Sequence, residues 1–346
     1  MSEFKVPVVE VLDVQPHPNA DRLDLVSVLG YTCITEKGRF KQGDRAVYVP
    51  ENAIVPDSVL QSEGFWDHEK NRGVLSGSKY NRVKALKLRG IFSQGLLFNP
   101  GATNSNVGED TSTDYGITKY EPEIPVHMAG EVTSLFGHTL KFDIESIQSQ
   151  PDVFDPDDIV VVTEKLHGTN FQAGRIPGLQ HPDLLYDGSV YVTSKGMGAK
   201  GLVLKNNEKN AGNLYLRATP QSFHRLTEIQ ETVHILGEVV GKGVQDLDYG
   251  LVKPRMYVFE VRIDGEALTY GEMSSFCEQY ELPMVPLLAR ARFEYLDLLG
   301  FRDGQSVIPT ANHLREGIVI TTNDGKKRAK FVSPDYLLRK NGTEFQ

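Results

Sequence analysis

The sequence predicts an α+β chain in two parts, a small N-terminal β-barrel followed by a domain rich in antiparallel sheet. Three observations lead there. Residues 1–100 carry short β-type runs broken at close intervals by Gly, Pro and Asn, the pattern of a small barrel. Beyond them, apolar runs recur between hairpin-length loops. Only two segments read as helices, so strands outnumber helices and a doubly wound sheet is disfavoured.

In chain order, residues 6–12, 25–28 and 45–50 read as barrel strands. The turn His17-Pro18-Asn19-Ala20-Asp21-Arg22-Leu23 joins the first two. Pro18 fixes its backbone, and Asn19 or Asp21 can satisfy its polar groups, so its expected role is structural. Residues 99–116, rich in Asn, Gly, Ser, Thr and Asp, read as a linker or surface loop. A Pro-bearing stretch at 121–125 follows, which places the domain boundary near residue 117, between domains 1–116 and 117–346. The second domain has expected strands at 159–162, 190–193, 234–240, 256–263, 317–321 and 328–332, and helices at 214–231 and 273–280.

At 346 residues the chain can build two cores, and 40% hydrophobic with 24% charged residues is an ordinary globular balance. No apolar run approaches the roughly 18 residues of a membrane helix. The opening Met1-Ser2-Glu3-Phe4-Lys5 lacks a signal-peptide core, so a cytoplasmic location is expected. Cys33 and Cys277 lie far apart, outside metal-ligand spacing, and are expected as free thiols. The net charge of −9 does not exclude nucleic acid, because phosphate binding depends on local patches. From Lys70 to Gly108 there is no acidic residue, while Lys70, Arg72, Lys79, Arg82, Lys84, Lys87 and Arg89 are basic. These bases, Arg72 to Arg89 above all, are the candidate nucleic-acid contacts; the plainer alternative is a solvated charged face.

The chemistry concentrates in Glu164-Lys165-Leu166-His167-Gly168-Thr169-Asn170, directly after the apolar run 159–162. A lysine is thus presented at a strand end before a glycine turn. Downstream come Ser194-Lys195-Gly196, Leu236-Gly237-Glu238-Val239, Tyr257-Val258-Phe259-Glu260-Val261, Arg315-Glu316-Gly317-Ile318 and Lys327-Arg328-Ala329-Lys330-Phe331, each on or beside an expected strand. Singly, each fits a structural role: a turn, a core aromatic, a solvated hairpin.

In this order the motifs resemble the nucleotidyl-attachment signatures of the covalent nucleotidyltransferases, the polynucleotide ligases and mRNA capping enzymes. The His-Gly-Thr-Asn version resembles the RNA ligases, and the turn at 17–23 resembles that of OB-fold tRNA-binding domains. The resemblance implies an OB-like barrel before a nucleotidyltransferase (ligase adenylation) domain. It implies ATP as the nucleotide, Mg²⁺ or Mn²⁺ as the metal, and Lys165 as the attachment site. Glu164, His167, Gly168, Asn170, Lys195, Glu238, Phe259, Glu316 and Lys330 would contact the nucleotide, with Lys330 and Arg328 assisting catalysis.

Physical reasons accompany each residue type. An amine is nucleophilic only when neutral, and nearby cations disfavour the ammonium form. The same cations stabilise charge growing on a phosphate. Glu238 and Glu316 are hard oxygen ligands for a divalent ion. Phe259 offers a flat face to a base, worth roughly 1–3 kcal/mol.

Two departures from the family pattern stand out. Arg328 occupies the first basic position of the last motif, where lysine is usual, and its planar fork places the charge differently. His167 replaces the aspartate of DNA ligases and capping enzymes, which favours RNA over DNA. Those enzymes carry an OB domain after the last motif. Here residues 331–346 are all that follow Lys330, and an OB-like part comes first. The order resembles the Deinococcus and Naegleria type of RNA ligase. The reading is a monomeric ATP-dependent RNA ligase without an obligate protein partner, acting on nicked duplex RNA or RNA with a DNA strand. The alternatives are a capping-type guanylyltransferase using GTP, and a non-catalytic tRNA-binding OB protein.

Overall fold

The computed structural model describes residues 4–67, 69, 72–73, 75, 81–101, 105–121 and 125–339. The chain divides into two compact units, Ser2–Glu121 with Ile147–Pro151, and Pro122–Ser146 with Asp152–Gln346.

The N-terminal unit is an OB-fold-type barrel, five antiparallel strands in the order Leu96–Phe98, Arg45–Val49, Val8–Pro16, Leu23–Val28 and Tyr31–Glu36. Alternation drives it: Leu23–Val28 buries every second residue. The two edges nearly close, with Gln94 N–H donating to Thr32 O at 3.0 Å and Ile34 N–H to Ser93 Oγ at 3.0 Å. The turn at 17–23 ties down a distant hairpin. Asn19 Nδ2 donates to Arg89 O at 2.9 Å, and His17 Nε2 lies 3.2 Å from Leu88 O. The stretch 99–116 is more than a linker: Thr111 is buried and donates to Val6 O at 2.8 Å. Past the expected junction at residue 117, Thr118–Lys119 pairs with Ala53–Ile54, so this unit runs on to Glu121.

The second unit holds two antiparallel sheets. One has the order Leu287–Arg292, Ile159–Lys165, Gly317–Thr322, Arg328–Val332; the other runs Val190–Ser194, Thr169–Arg175, Val233–Val240, Arg255–Ile263, Glu266–Ala267. The larger core lies against the second sheet, where Phe171, Phe223, Leu226, Ile235 and Met256 are fully buried. The expected helix at 214–231 is instead two pieces, an α-helix Leu214–Ala218 and a 3₁₀ stretch Gln221–Glu228. Pro220 between them lacks the N–H that a continuous helix needs. The helix Tyr270–Gln279 starts with a capping box from Thr269 and Glu272. Among the described residues, no helix is long and apolar enough to cross a membrane. Both cysteines are buried free thiols.

Candidate active site

The Ile159–Lys165 strand belongs to the first sheet and Thr169–Arg175 to the second, so Leu166–Gly168 is the crossover between them. The crossover needs glycine. A Cβ on Gly168 would stand 2.1 Å from Val239 O, closer than any side chain tolerates. Its N–H donates to Glu238 Oε1 at 3.1 Å, and its carbonyl accepts from Gln245 Nε2 at 2.9 Å.

Strand register decides what shares the face with Lys165. Lys165 pairs with Gly317, Thr163 with Val319 and Val161 with Thr321. Val319 pairs in turn with Lys330, and Thr321 with Arg328. Side chains alternate along each strand, so Lys165, Lys330 and Arg328 look out from one face. On the second sheet, Asn170 pairs with Glu238. The ladder there skips Phe259, since Leu236 pairs with Glu260 and Gly237 with Val258. Phe259 is thus the extra residue of a β-bulge, a device that re-aims a side chain.

These faces enclose a cavity of about 400 Å³ whose lining includes Lys165, Asn170, Lys195, Glu238, Phe259 and Lys330. Glu164, Gly168 and Arg328 also line it. Lys165 Nζ stands 2.7 Å from Glu316 Oε1, and both side chains are largely buried. Lys195 Nζ pairs with Asp143 Oδ1 at 2.8 Å. Burial, with Glu316 adding to it, outweighs the pull of Lys165 and pushes the Glu238 carboxyl up to about 8. Burial and the neighbouring Lys165 and Lys195 charges lower the Lys330 ammonium.

Three sequence expectations look different in space. His167 does not line the cavity. Its Nε2 lies 2.7 Å from Asp246 Oδ1 and its Nδ1 2.7 Å from the Tyr336 hydroxyl, so the buried ring is committed behind the turn rather than toward a nucleotide. Arg328 lines the cavity but is paired with the buried Glu260 and bonded to Thr321 Oγ1 at 3.2 Å. That pairing restrains its guanidinium beside the Phe142 ring, 5.3 Å from the ring centre. Glu164 turns one oxygen to Val307 N–H at 2.8 Å, and its other oxygen, Oε1, is buried without a hydrogen-bond partner.

Sequence reasoning missed Phe142 and Asp143. Both sit in an irregular segment that crosses the cavity, held by Gln172, whose amide both donates to Leu140 O at 3.0 Å and accepts from Leu140 N–H at 3.1 Å. Farther on, Lys330 N–H donates to Glu145 O at 2.8 Å. Phe142 packs on Phe259 with ring centres 5.5 Å apart. Nothing in the sequence marked this segment except the lone aromatic.

The RNA ligase family model matches residues 158–332, the span that holds both sheets of the second unit and every sequence motif placed above. The chain belongs to the RNA ligase family. An OB-fold domain model matches residues 6–100 of this RNA ligase. Among solved structures it is similar to Naegleria gruberi RNA ligase over nearly its whole length. A lysine-to-alanine variant of that protein with ATP and Mn is 26% identical, with a TM-score of 0.79 over 96% of this chain and 97% of that one. A glutamate-to-alanine variant with AMP and Mn is 25% identical, TM-score 0.79, over 96% and 98%. The same protein with PPi is 26% identical, TM-score 0.79, over 97% and 98%. The capping-enzyme and simple tRNA-binding readings are not favoured by these likenesses.

The basic stretch of this RNA ligase is described in part. Lys79 lies outside the described residues, as does the side chain of Arg72. Arg82 is turned inward, bonded to Asn52 Oδ1 through Nε at 2.8 Å and stacked 4.1 Å over Tyr120. Lys84, Lys87 and Arg89 are exposed.

Proposed function

We propose that this enzyme is an ATP-dependent RNA ligase that seals 3′-OH/5′-phosphate breaks through AMP carried on Lys165. The observation that carries the reading is the convergence of Lys165, Lys330 and Arg328 on one sheet face, opposite Glu238 and the bulged Phe259 across one cavity. Cations line one side and aromatics another, which suits a triphosphate attached to a flat base.

In the first step Lys165 Nζ attacks the α-phosphorus, an N–P bond forms, and pyrophosphate leaves. Glu316, 2.7 Å from Nζ, orients the amine and is an acceptor for its proton. Lys330 and Lys195 neutralise charge on the phosphate oxygens. In the second step a 5′-phosphate oxygen attacks the same phosphorus, the N–P bond breaks, and the lysine leaves as an amine. In the third step the 3′-OH attacks the adenylylated 5′-phosphate, closing the phosphodiester and releasing AMP.

Glu238 and Glu316 fit a divalent ion by donor chemistry. Among the described residues no three His, Cys, Asp or Glu side chains converge on one point. A pair of carboxylates suits Mg²⁺ or Mn²⁺, which keep waters and phosphate oxygens in their shell. Such an ion would supply Lewis-acid neutralisation of the triphosphate.

The N-terminal unit, through the exposed Lys84, Lys87 and Arg89, grips nucleic acid near the break: a nicked RNA duplex or RNA joined to a DNA strand. The protein works as a monomer without an obligate partner. Incubation with labelled ATP or GTP, then with a nicked duplex, tests this reading. It expects ATP labelling followed by sealing; labelling by GTP alone, or by neither nucleotide, refutes it.

A further inference from the structure

The turn that carries Lys165 is gripped from two directions by residues outside every motif. From one side comes the loop after Val240. Tyr249, fully buried, accepts the His167 N–H on its hydroxyl at 2.6 Å, Asp246 takes the imidazole Nε2, and Gln245 takes the Gly168 carbonyl. From the other side comes the segment after the last motif. Ser333 N–H donates to Glu316 O at 2.8 Å and opens the helix Pro334–Leu337. That helix sends the buried Tyr336 hydroxyl to His167 Nδ1. Arg339, two residues past the end of that helix, closes the ring. It donates to Asp246 Oδ2 at 2.9 Å and to Tyr336 O at 2.8 Å, and stacks 3.7 Å over the Tyr336 ring.

Both ring nitrogens of His167 are therefore held, and its Nδ1 sits 4.0 Å from Glu316 Oε2, whose other oxygen meets Lys165 Nζ. We infer that Asp246, Tyr336 and Arg339 are positioning residues that lock His167 behind the turn and so aim Lys165, through Glu316, at the phosphorus it attacks. Full hydrogen bonding of a buried polar network is what makes it rigid. This inference rests on the reading of Lys165 as the AMP acceptor.

That reading separates the steps. Lys165 forms or breaks a bond in the first two steps and neither in the third. The clamp therefore matters for lysyl-AMP formation and AMP transfer, but not for sealing a nick that already carries AMP on its 5′-phosphate. The test compares the wild-type chain with Tyr336→Phe, Arg339→Ala and Arg339→Lys. Single-turnover labelling at saturating ATP should slow about tenfold in Tyr336→Phe and Arg339→Ala, roughly what one lost hydrogen bond on an aimed group gives. The ATP concentration at half-maximal rate should stay unchanged, and Arg339→Lys should recover part of the loss. Sealing of the pre-adenylylated nick should match wild type in all three. Equal loss in all steps, a change confined to ATP affinity, or no change overturns the inference. A wild-type chain that takes no label refutes the functional reading itself.

Discussion

Replacing Gly168 with alanine tests whether the crossover turn sets the position of Lys165. The new methyl would stand 2.1 Å from Val239 O and 2.8 Å from Val240 Cγ1. Both neighbours belong to the buried Val233–Val240 strand, so the turn must move, by about 1 Å to reach ordinary contact. Overpacking of this kind costs about 1–3 kcal/mol. Stretching the Gly168 hydrogen bonds to Glu238 and Gln245 adds roughly 0.5–1.5 kcal/mol each. The sum, about 2–6 kcal/mol, lowers Tm by about 4–24 °C, at roughly 2–4 °C per kcal/mol for a unit of this size. The kinetic effect is larger, since a displacement of about 1 Å costs on the order of 100-fold in rate. Single-turnover lysyl-AMP formation and a thermal melt measure the two effects. A Gly168→Ala variant that labels at the wild-type rate refutes the argument that this close backbone approach aims the lysine.

The remaining predictions concern the cavity and the basic face. Phe259→Ala removes a stacking surface worth roughly 1–3 kcal/mol, so the KM for ATP should rise by about 5- to 150-fold; an unchanged KM places the base elsewhere. Glu238 has a carboxyl raised to about 8, so the folded state holds a proton that the unfolded state releases above the ordinary value of 4.5. Its contribution is complete below 4.5 and is lost as pH rises through 8, so stability without metal should fall across that window. Glu238→Gln should flatten that slope in chelator-treated denaturant titrations; parallel curves contradict the assignment. Replacing Lys84, Lys87 and Arg89 together with alanine should weaken nick binding and reduce its salt slope by about 0.7–0.9 per lost phosphate contact. Lysyl-AMP formation should not change, and binding that keeps its salt slope removes this face from the interface.

Much of the fold was legible because strands announce themselves by alternation and apolar runs. The strands at 159–165, 233–240, 255–263, 317–322 and 328–332 all lie where those runs stand. Register, and with it the common face of Lys165, Lys330 and Arg328, is a pairing between distant strands and cannot be read from one run. The bulge at Phe259 is a property of the pair formed with Val233–Val240, invisible in either strand alone. His167 was expected at the nucleotide because it stands inside the motif whose resemblance implied the contact. The chain leaves its strand at Lys165, and inside the turn that follows the period of two no longer says where a side chain looks. Phe142 and Asp143 lie in a segment with no period at all, held by the Gln172 amide and the Lys330 backbone. The 214–231 helix failed on a local signal that was present, since Pro220 stands in its middle.

The central claim is that Lys165 carries AMP. Incubation of the wild-type chain with ATP and a divalent metal, followed by peptide mapping at alkaline pH, where an N–P bond survives, tests it most directly. The account predicts one AMP adduct, on the peptide holding Lys165, and none on the Lys165→Ala variant. An adduct on Lys195 or Lys330, or undiminished labelling of Lys165→Ala, contradicts it.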